Sequence, residues 1–169
     1  MICNSKRLIL TEFFDRAIRS VEPNLFFKTY VPKPPRGRTI LIGAGKGVID
    51  LASAFSNYYK ESFSNALVTQ YKQKRSKKDL DIVWAGHPLP DQNGLDGANK
   101  IFRLTANLTS NDLAIALFTG GGSALLPCPP EGFTLDDEIL LNHLLLRSGL
   151  PISGINLIRK HFSKIKGGR

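Results

Sequence analysis

Residues 38–47 read Arg-Thr-Ile-Leu-Ile-Gly-Ala-Gly-Lys-Gly, and this stretch decides the predicted fold. It opens with a short β-branched run, typical of a buried strand, and glycines follow at once. Beyond it, apolar side chains recur with helical spacing at Val48, Leu51, Ala52 and Phe55. The pattern therefore predicts a strand, a glycine turn and a helix.

Similar patterns recur along the chain. Further strands are predicted at residues 66–69, 81–84 and 113–118. The last of these is continuously apolar, which favours a parallel sheet covered on both faces. Alternating strands and helices predict an α/β layered domain with a mostly parallel sheet, whose post-strand loops share one edge.

The helices are predicted from apolar spacing and end signals. Residues 8–21 form one helix that Pro23 closes, and an extended linker follows through Pro35. Another helix begins after Asp91, and the last one spans 152–165. Between them, a helix is predicted to begin with a capping box formed by Thr134 and Asp137 and to end at Gly149. Its predicted buried stripe consists of Leu135, Ile139, Leu140 and Leu144.

Composition limits the function classes. The 169 residues, 42% hydrophobic and 22% charged, suit one globular domain. No apolar run approaches the roughly 20 residues of a membrane span, so a cytoplasmic protein is expected. Cys3 and Cys128 are expected to be reduced thiols. The net charge of +9 leaves nucleic acid and anionic small ligands both open, although no nucleic-acid module accompanies it.

Positive charges concentrate at two places in the chain, residues 72–78 and residues 159–169. The first cluster is interpreted as a solvated loop. In the second, Arg159, His161 and Lys166 either line a site or form a solvated helix face. His143, on the leucine-rich helix, is interpreted as structural.

Three loops follow predicted strands: residues 43–47, 86–91 and 119–123. Glycines let backbone amides approach an anion, and Lys46 adds a full charge to the first loop. Known phosphate motifs nevertheless fail there. A Walker A loop needs Ser or Thr where Gly47 stands, and a dinucleotide fingerprint needs Gly or Ala where Val48 stands. For each of these loops, a ligand-binding loop and a plain tight turn therefore both remain open as interpretations.

The triplet Gly120-Gly121-Gly122 points more strongly to an anion or nucleotide cradle, because three glycines are costly to order in a plain turn. Ser123 could donate to a phosphate oxygen. A serine nucleophile is the rival interpretation, but its elbow motif needs glycine where Leu125 stands.

His87 and Asp91 lie in the loop between the third strand and its helix. They could bind substrate hydroxyls or transfer a proton. Alternatively, Asp91 caps the helix and His87 bonds a nearby carbonyl.

Four motifs in order resemble the N-terminal domain of the glycerate 2-kinases, a family often labelled hydroxypyruvate reductase. They are the Gly-Ala-Gly-Lys of 43–46, the Ala-Gly-His-Pro-Leu-Pro-Asp of 85–91, the Gly-Gly-Gly-Ser-Ala-Leu of 120–125, and the tail 156–169. The resemblance implies a Rossmann-like three-layer α/β/α sandwich. It also implies ATP-dependent phosphorylation of D-glycerate to 2-phosphoglycerate, with Mg²⁺ carried by the nucleotide.

The resemblance also implies roles for individual residues. Lys46 would be catalytic, and the nucleotide phosphates would lie near Gly43, Gly45, Gly120, Gly121, Gly122 and Ser123. The substrate would contact His87, Asp91 and Arg159. No metal ligand is assigned.

This sequence departs from the family in three respects. Thr119 stands where the family usually has Ser, Phe162 stands where it commonly has Leu, and the sequence is less than half the usual length. Residues 1–169 are therefore expected to be a truncated N-terminal α/β domain with an incomplete sheet, inactive alone and prone to self-association through exposed edges. Two alternatives remain: a hydroxypyruvate reductase and a non-functional gene product.

Overall fold

The structure, a computed structural model that describes residues 4–71 and 79–168, contains one four-stranded sheet and the helices around it. In chain order the elements are α1 (Asn4–Ser20), α2 (Pro23–Thr29), β1 (Thr39–Ala44), α3 (Val48–Tyr58), β2 (Ser64–Gln70), β3 (Ile82–Ala85), α4 (Gln92–Thr105), β4 (Leu113–Phe118), α5 (Gly122–Leu125), α6 (Leu135–Arg147) and α7 (Ile152–His161). Cys3, Arg169 and the basic cluster Lys72, Lys74, Arg75, Lys77 and Lys78 lie outside the described residues.

All four strands are parallel, in the order β3-β2-β1-β4. Ile42 of β1 is level with Ala66 of β2 on one side and with Ala116 of β4 on the other. The chain runs outward from β1 to β3 and then crosses back to β4. The strand order therefore reverses between β1 and β4, which is where open α/β sheets commonly bind ligands. The predicted parallel α/β fold is confirmed.

Helices cover the two faces of the sheet because successive strand residues point to opposite sides. On one face, α3 packs over β1, β2 and β4 and α2 packs against α3, and Phe55 is fully buried there with ring contacts to Phe27, Tyr59 and Phe63. On the other face, α4 and α5 pack over residues such as Val68. These two apolar layers hold the carboxyl ends of the strands in fixed positions.

The prediction that residues 113–118 are covered on both faces was wrong. Leu117 is buried, but Ala114, Ala116 and Phe118 are exposed, and Phe118 retains 62% of its accessible surface. The reason is position: within the described residues β4 is an edge strand, and α4 packs on β1, β2 and β3 instead.

The buried stripe predicted for α6 was also wrong. Leu140 and Leu144 are exposed, and the buried residues are Glu138, Asn142 and Leu145. The helix packs through this other face because Glu138 forms buried polar contacts, as described below. The predicted capping box is present, and Gly149, at φ +70°, follows the helix as predicted.

One prediction near the N-terminus needs correction. Pro23 does not start a linker but stands in the first turn of α2, where proline loses no hydrogen bond. The predicted first helix forms as α1, yet its apolar side chains, such as Phe13 and Phe14, are exposed.

At the C-terminal end of the chain, α7 stops at His161 rather than continuing to Ile165 as predicted. None of the described helices is long and apolar enough to span a bilayer.

Asp112 joins the starts of β1 and β4. Its Oδ1 accepts from the amide of Arg38 at 2.6 Å and its Oδ2 from the amide of Thr109 at 2.8 Å. These bonds hold the pKa of Asp112 well below its usual range. Because the folded pKa is depressed, the stability from this carboxylate is present above the unfolded pKa of about 4 and is lost as the pH falls below it.

We expect Asp112→Asn to remove part of the acid sensitivity of the fold. The Tm of the unmodified chain should fall more steeply between pH 5 and pH 3 than that of Asp112→Asn, as measured by circular dichroism. Asp15→Asn, on the exposed surface of α1, is the control and should keep the steep profile. Identical acid profiles for both variants would contradict the argument.

Candidate functional site

The loops after β1 and β4 meet at the carboxyl edge of the sheet. The amide of Lys46 donates to the carbonyl of Gly120 at 2.9 Å, and the amide of Gly47 donates to Oγ1 of Thr119 at 2.9 Å. The predicted meeting of the lysine loop (residues 43–47) and the triple-glycine loop (residues 119–123) is therefore confirmed. Thr119, which the sequence marked only as a departure from the family, makes one of the bonds that join them.

Gly45 allows this close approach. Its φ is +136°, and a Cβ added there would lie 2.5 Å from the carbonyl oxygen of Thr119. Its own amide donates to the carbonyl of Val68 at 3.0 Å, and its carbonyl accepts from the hydroxyl of Thr69. Gly43 lies within β1, paired with Leu117 of β4. The structure thus gives Gly43 and Gly45 a packing role in place of the amide donation to phosphate that the sequence suggested.

The triple-glycine loop differs from the lysine loop in the hydrogen bonding of its backbone amides. Gly121 has φ +94°, so the loop turns sharply before α5. Unlike the amide of Gly45, the amides of Gly121 and Gly122 have no acceptor among the described residues. Ser123 is exposed beside them. This loop presents hydrogen-bond donors to a ligand, as an anion cradle requires.

His87 reaches the same point from the loop after β3. A Cβ on Gly121 would lie 3.1 Å from both Nε2 of His87 and Cε of Lys46, so both side chains border this glycine. Burial lowers the pKa of His87, and the charge of Lys46 lowers it further. Both effects favour the neutral form of the imidazole. In the part of the chain that the structure describes, it makes no hydrogen bond to a carbonyl or any other group.

Asp91 caps α4, which confirms one half of the alternative weighed from the sequence, whereas its other half, a bond from His87 to a nearby carbonyl, is not seen among the described residues. Its Oδ1 accepts from the amide of Gly94 at 2.9 Å, and its Oδ2 accepts from the hydroxyl of Tyr71 at 2.5 Å. Burial acts to raise the pKa of Asp91, but these bonds and one from the amide of Gly86 outweigh it and leave the pKa below its usual value. Both oxygens are engaged, so Asp91 holds the His87 loop in place.

Tyr71 and Asn93 complete this support, and no sequence signal pointed to them. The side-chain amide of Asn93 donates to the Tyr71 hydroxyl at 2.9 Å and to the carbonyl of Trp84 at 3.1 Å. The residues come from three separate segments that meet only in the folded chain.

A cleft of about 720 Å³ adjoins the triple-glycine loop on the α4 side of the sheet. Its floor is apolar and includes Ile42, Ala116 and Phe118. Its polar lining includes Ser123 and Arg159. His161 instead contacts the carbonyl of its own helix, that of Leu157 at 2.8 Å. The structure therefore gathers Lys46, His87 and the glycine triplet around one point and places Arg159 in the adjoining cleft.

Metal ligands are a separate question. Across residues 4–71 and 79–168, no group of three or more His, Cys, Asp or Glu side chains is arranged to hold a metal ion.

Thr119→Val tests the bond between the two loops. The change removes the acceptor of the Gly47 amide at nearly constant volume, so we expect a loss of about 1–2 kcal/mol in the free energy of unfolding. That corresponds to a Tm lower by roughly 2–8 °C, measured by thermal unfolding. Thr119→Ser keeps the hydroxyl and should retain most of the stability. Equal losses in the two variants would show that the hydroxyl contributes nothing.

Comparison with known proteins agrees with the motif resemblance. Residues 9–169 match a family model described as "Domain of unknown function (DUF4147)". The chain is 39% identical to a putative hydroxypyruvate reductase of Agrobacterium vitis, over 97% of this chain and 38% of that protein. It is 35% identical to the D-glycerate 2-kinase of Thermotoga maritima, over 98% of this chain and 40% of that protein.

Solved structures agree as well. The crystal structure of the Thermotoga maritima glycerate kinase superposes with a TM-score of 0.86 at 34% identity, covering 99% of this chain and 41% of that one. The chain thus spans about two-fifths of the length of these relatives.

Proposed function

The chain belongs to the family described as domain of unknown function DUF4147, and from this premise we propose that it supplies the nucleotide-binding part of a glycerate 2-kinase. The reaction is ATP-dependent phosphorylation of D-glycerate at its 2-hydroxyl, in the cytoplasm. One observation carries the proposal: the lysine loop and the triple-glycine loop are hydrogen-bonded where the strand order reverses.

The residues fit the phosphates of a nucleotide. Lys46 is exposed and makes no ion pair or hydrogen bond through its ammonium within the described residues, and the amides of Gly121 and Gly122 are free to donate. Phosphoryl transfer depends on positioning and on neutralising oxygen charge, which these groups provide without a covalent nucleophile. When bound, ATP would supply the phosphoryl group, and Mg²⁺ brought in with it would neutralise further charge. In this chain Lys46 holds the phosphates, Ser123 donates to them, and the neutral His87 accepts from the glycerate hydroxyl.

Binding is the first test of the proposal. Isothermal titration calorimetry of the 169-residue chain with ATP and Mg²⁺ should show saturable binding, with ADP bound and NADH not bound. Quenching of Trp84, the single tryptophan, gives an independent signal from the strand that leads into the His87 loop. Binding of NADH without ATP would favour a hydroxypyruvate reductase. Absence of binding to either nucleotide would favour a non-functional product.

Turnover is the second test. We expect a coupled assay with ATP, Mg²⁺ and D-glycerate to give no activity for the chain alone, because one set of loops neither encloses the reacting groups nor excludes water. Activity should appear when the complementary part of the Thermotoga relative is added. Full activity of the chain alone would overturn the expected inactivity.

Self-association is part of the proposal. Phe13 and Phe14 on α1 and Phe118 on β4 are each more than 60% exposed, and apolar surfaces of this kind favour association. Light scattering should therefore report a mass above 18.7 kDa. A monodisperse monomer at millimolar concentration would contradict this part.

A further inference from the structure

We propose that Lys166 is a positioning residue: held in place by Glu138, it fixes α5 and thereby orients the backbone amides of Gly121 and Gly122. Lys166 belongs to the tail motif of residues 156–169, but it has no role in the proposed function. The inference rests on that function, because it concerns the amides that are assigned there to the phosphates of ATP.

α5 cannot maintain its geometry unaided. It spans only Gly122–Leu125, a single turn that is closed by a bond from the amide of Leu126 to the carbonyl of Gly122 at 3.1 Å. An isolated helical turn is unstable in water, because its formation fixes several residues for one hydrogen bond. The direction of the Gly121 and Gly122 amides therefore depends on what holds the segment at its other end, at Leu126.

Lys166 holds that end. Its Nζ donates to the carbonyl of Leu126 at 2.7 Å, lies 3.4 Å from Oε1 of Glu138 and lies 3.5 Å from the hydroxyl oxygen of Ser163. An ammonium group has three donors, so these three partners account for all of them. The side chain retains only 15% of its accessible surface. Its ammonium is therefore engaged by protein groups, which suits a residue that orients the backbone rather than one that contacts a ligand.

Glu138 ties the same segment to α6. Its Oε2 accepts from the amide of Cys128 at 3.0 Å, and its side chain retains only 6% of its accessible surface. The tail adds a bond from the amide of Lys164 to the carbonyl of Cys128 at 2.9 Å. Residues 126–128 are therefore held by α6 and by the tail at the same time.

The electrostatics of the pair favour a geometric role over a stabilising one. Burial raises the pKa of Glu138 and lowers that of Lys166, and the charge of each partner opposes the shift of the other. Buried ion pairs add little net stability, because desolvation offsets their attraction. What the pair does provide is a fixed position for Leu126.

The distance from this pair to the site is short. The four residues of α5 span about 6 Å. At the other end of α5, Gly122 lies against the end of β1, where an added Cβ would be 3.5 Å from the carbonyl oxygen of Ala44. A shift of Leu126 is therefore transmitted through one turn of backbone to the amides of the glycine triplet.

The variant that tests this role carries Glu138→Gln and Lys166→Met together. Glutamine keeps an oxygen that accepts from the amide of Cys128, and methionine keeps the apolar stem of the lysine. No unpaired charge is left buried, so the double variant should fold. Its net charge equals that of the unmodified chain, so the general attraction of ATP is unchanged. The bond to the carbonyl of Leu126 is lost.

We expect the double variant to bind ATP about three- to tenfold more weakly in calorimetric titrations with Mg²⁺ present. The amide resonances of Gly121 and Gly122 should also shift in ¹⁵N NMR spectra. Tyr59→Phe is the control for lost stability, because it removes a buried hydroxyl that lies 2.6 Å from Oγ1 of Thr39, at the opposite end of β1. It should lower the Tm, yet keep ATP affinity within about twofold and both resonances in place.

Lys166→Arg provides the conservative comparison. It keeps a cation for Glu138 and a donor for the carbonyl of Leu126, so its ATP affinity should lie closer to that of the unmodified chain than to that of the double variant. A loss as large as in the double variant would contradict the role of the Leu126 bond.

The outcomes separate this inference from the proposed function. Absence of ATP binding by the unmodified chain would overturn the proposed function, and the two amide resonances would then decide the positioning role alone. Unchanged resonances or unchanged ATP affinity in the double variant would overturn that role, as would an equal loss of ATP affinity in Tyr59→Phe. A double variant that did not fold would overturn it too, because the pair would then stabilise the whole domain instead of orienting one loop.

Discussion

Lys46→Met is expected to weaken the binding of ATP to this chain about ten- to a hundredfold. The variant keeps the apolar stem of the side chain and removes only the ammonium. A hydrogen bond to a charged group contributes roughly 1.5–3 kcal/mol, and 1.4 kcal/mol corresponds to a tenfold change in affinity. Because the Lys46 ammonium has no partner among the described residues, the Tm should stay unchanged. Calorimetric titration with ATP and Mg²⁺, together with thermal unfolding, measures both quantities.

Lys28→Met is the matched control. Lys28 is exposed in the last turn of α2, away from the carboxyl edge of the sheet, so its loss changes the net charge equally without touching the site. ATP affinity should fall only in Lys46→Met, and the difference should shrink as salt concentration rises. Equal ATP affinities in the two variants would remove Lys46 from the phosphate site.

The meeting of Lys46 with the glycine triplet was predictable, because the carboxyl ends of parallel strands share one edge of a sheet. The same rule places the His87 loop at that edge, but it does not predict that His87 reaches Gly121. β3 is separated from β4 by two strands, and the loop after β3 reaches Gly121 only because Asp91, Tyr71 and Trp84 hold it there. Contacts between such distant segments leave no periodic pattern in the sequence.

Burial was harder to predict than secondary structure. Apolar spacing correctly indicated helices at α1 and α6, but it does not say which neighbour covers a face. In α6 the covered face is the one that carries Glu138, because Lys166 and the amide of Cys128 bind its carboxylate. A buried ion pair between residues 28 positions apart is a property of the fold, and composition gives no sign of it.

Within the site, the role of each glycine was likewise harder to predict than its position. Gly45 and Gly121 were both predicted to contact phosphates, yet the structure separates their roles. Gly45 lies against Thr119 with its amide already bonded to Val68, whereas Gly121 has its amide free. Glycine spacing indicates where the backbone turns, but only the hydrogen-bond partners decide which amides remain for a ligand.

Gly45→Ala is expected to have the largest effect on stability. A Cβ at this position would lie 2.5 Å from the carbonyl oxygen of Thr119, which is backbone and cannot rotate away. The φ of +136° is also strained for any L side chain. Together these effects should lower the free energy of unfolding by about 3 kcal/mol or more, a drop in Tm of roughly 6–12 °C.

Gly120→Ala separates this steric argument from a general loss of loop flexibility. A Cβ on Gly120 meets no atom within 4 Å, and its φ is not left-handed. This variant should therefore unfold at nearly the same temperature as the unmodified chain. Gly45→Ala should also weaken ATP binding, because pushing residue 45 away from Thr119 breaks the bonds that Lys46 and Gly47 make to the β4 loop. If Gly45→Ala unfolded like Gly120→Ala and bound ATP normally, the close packing of the two loops would not be what positions Lys46.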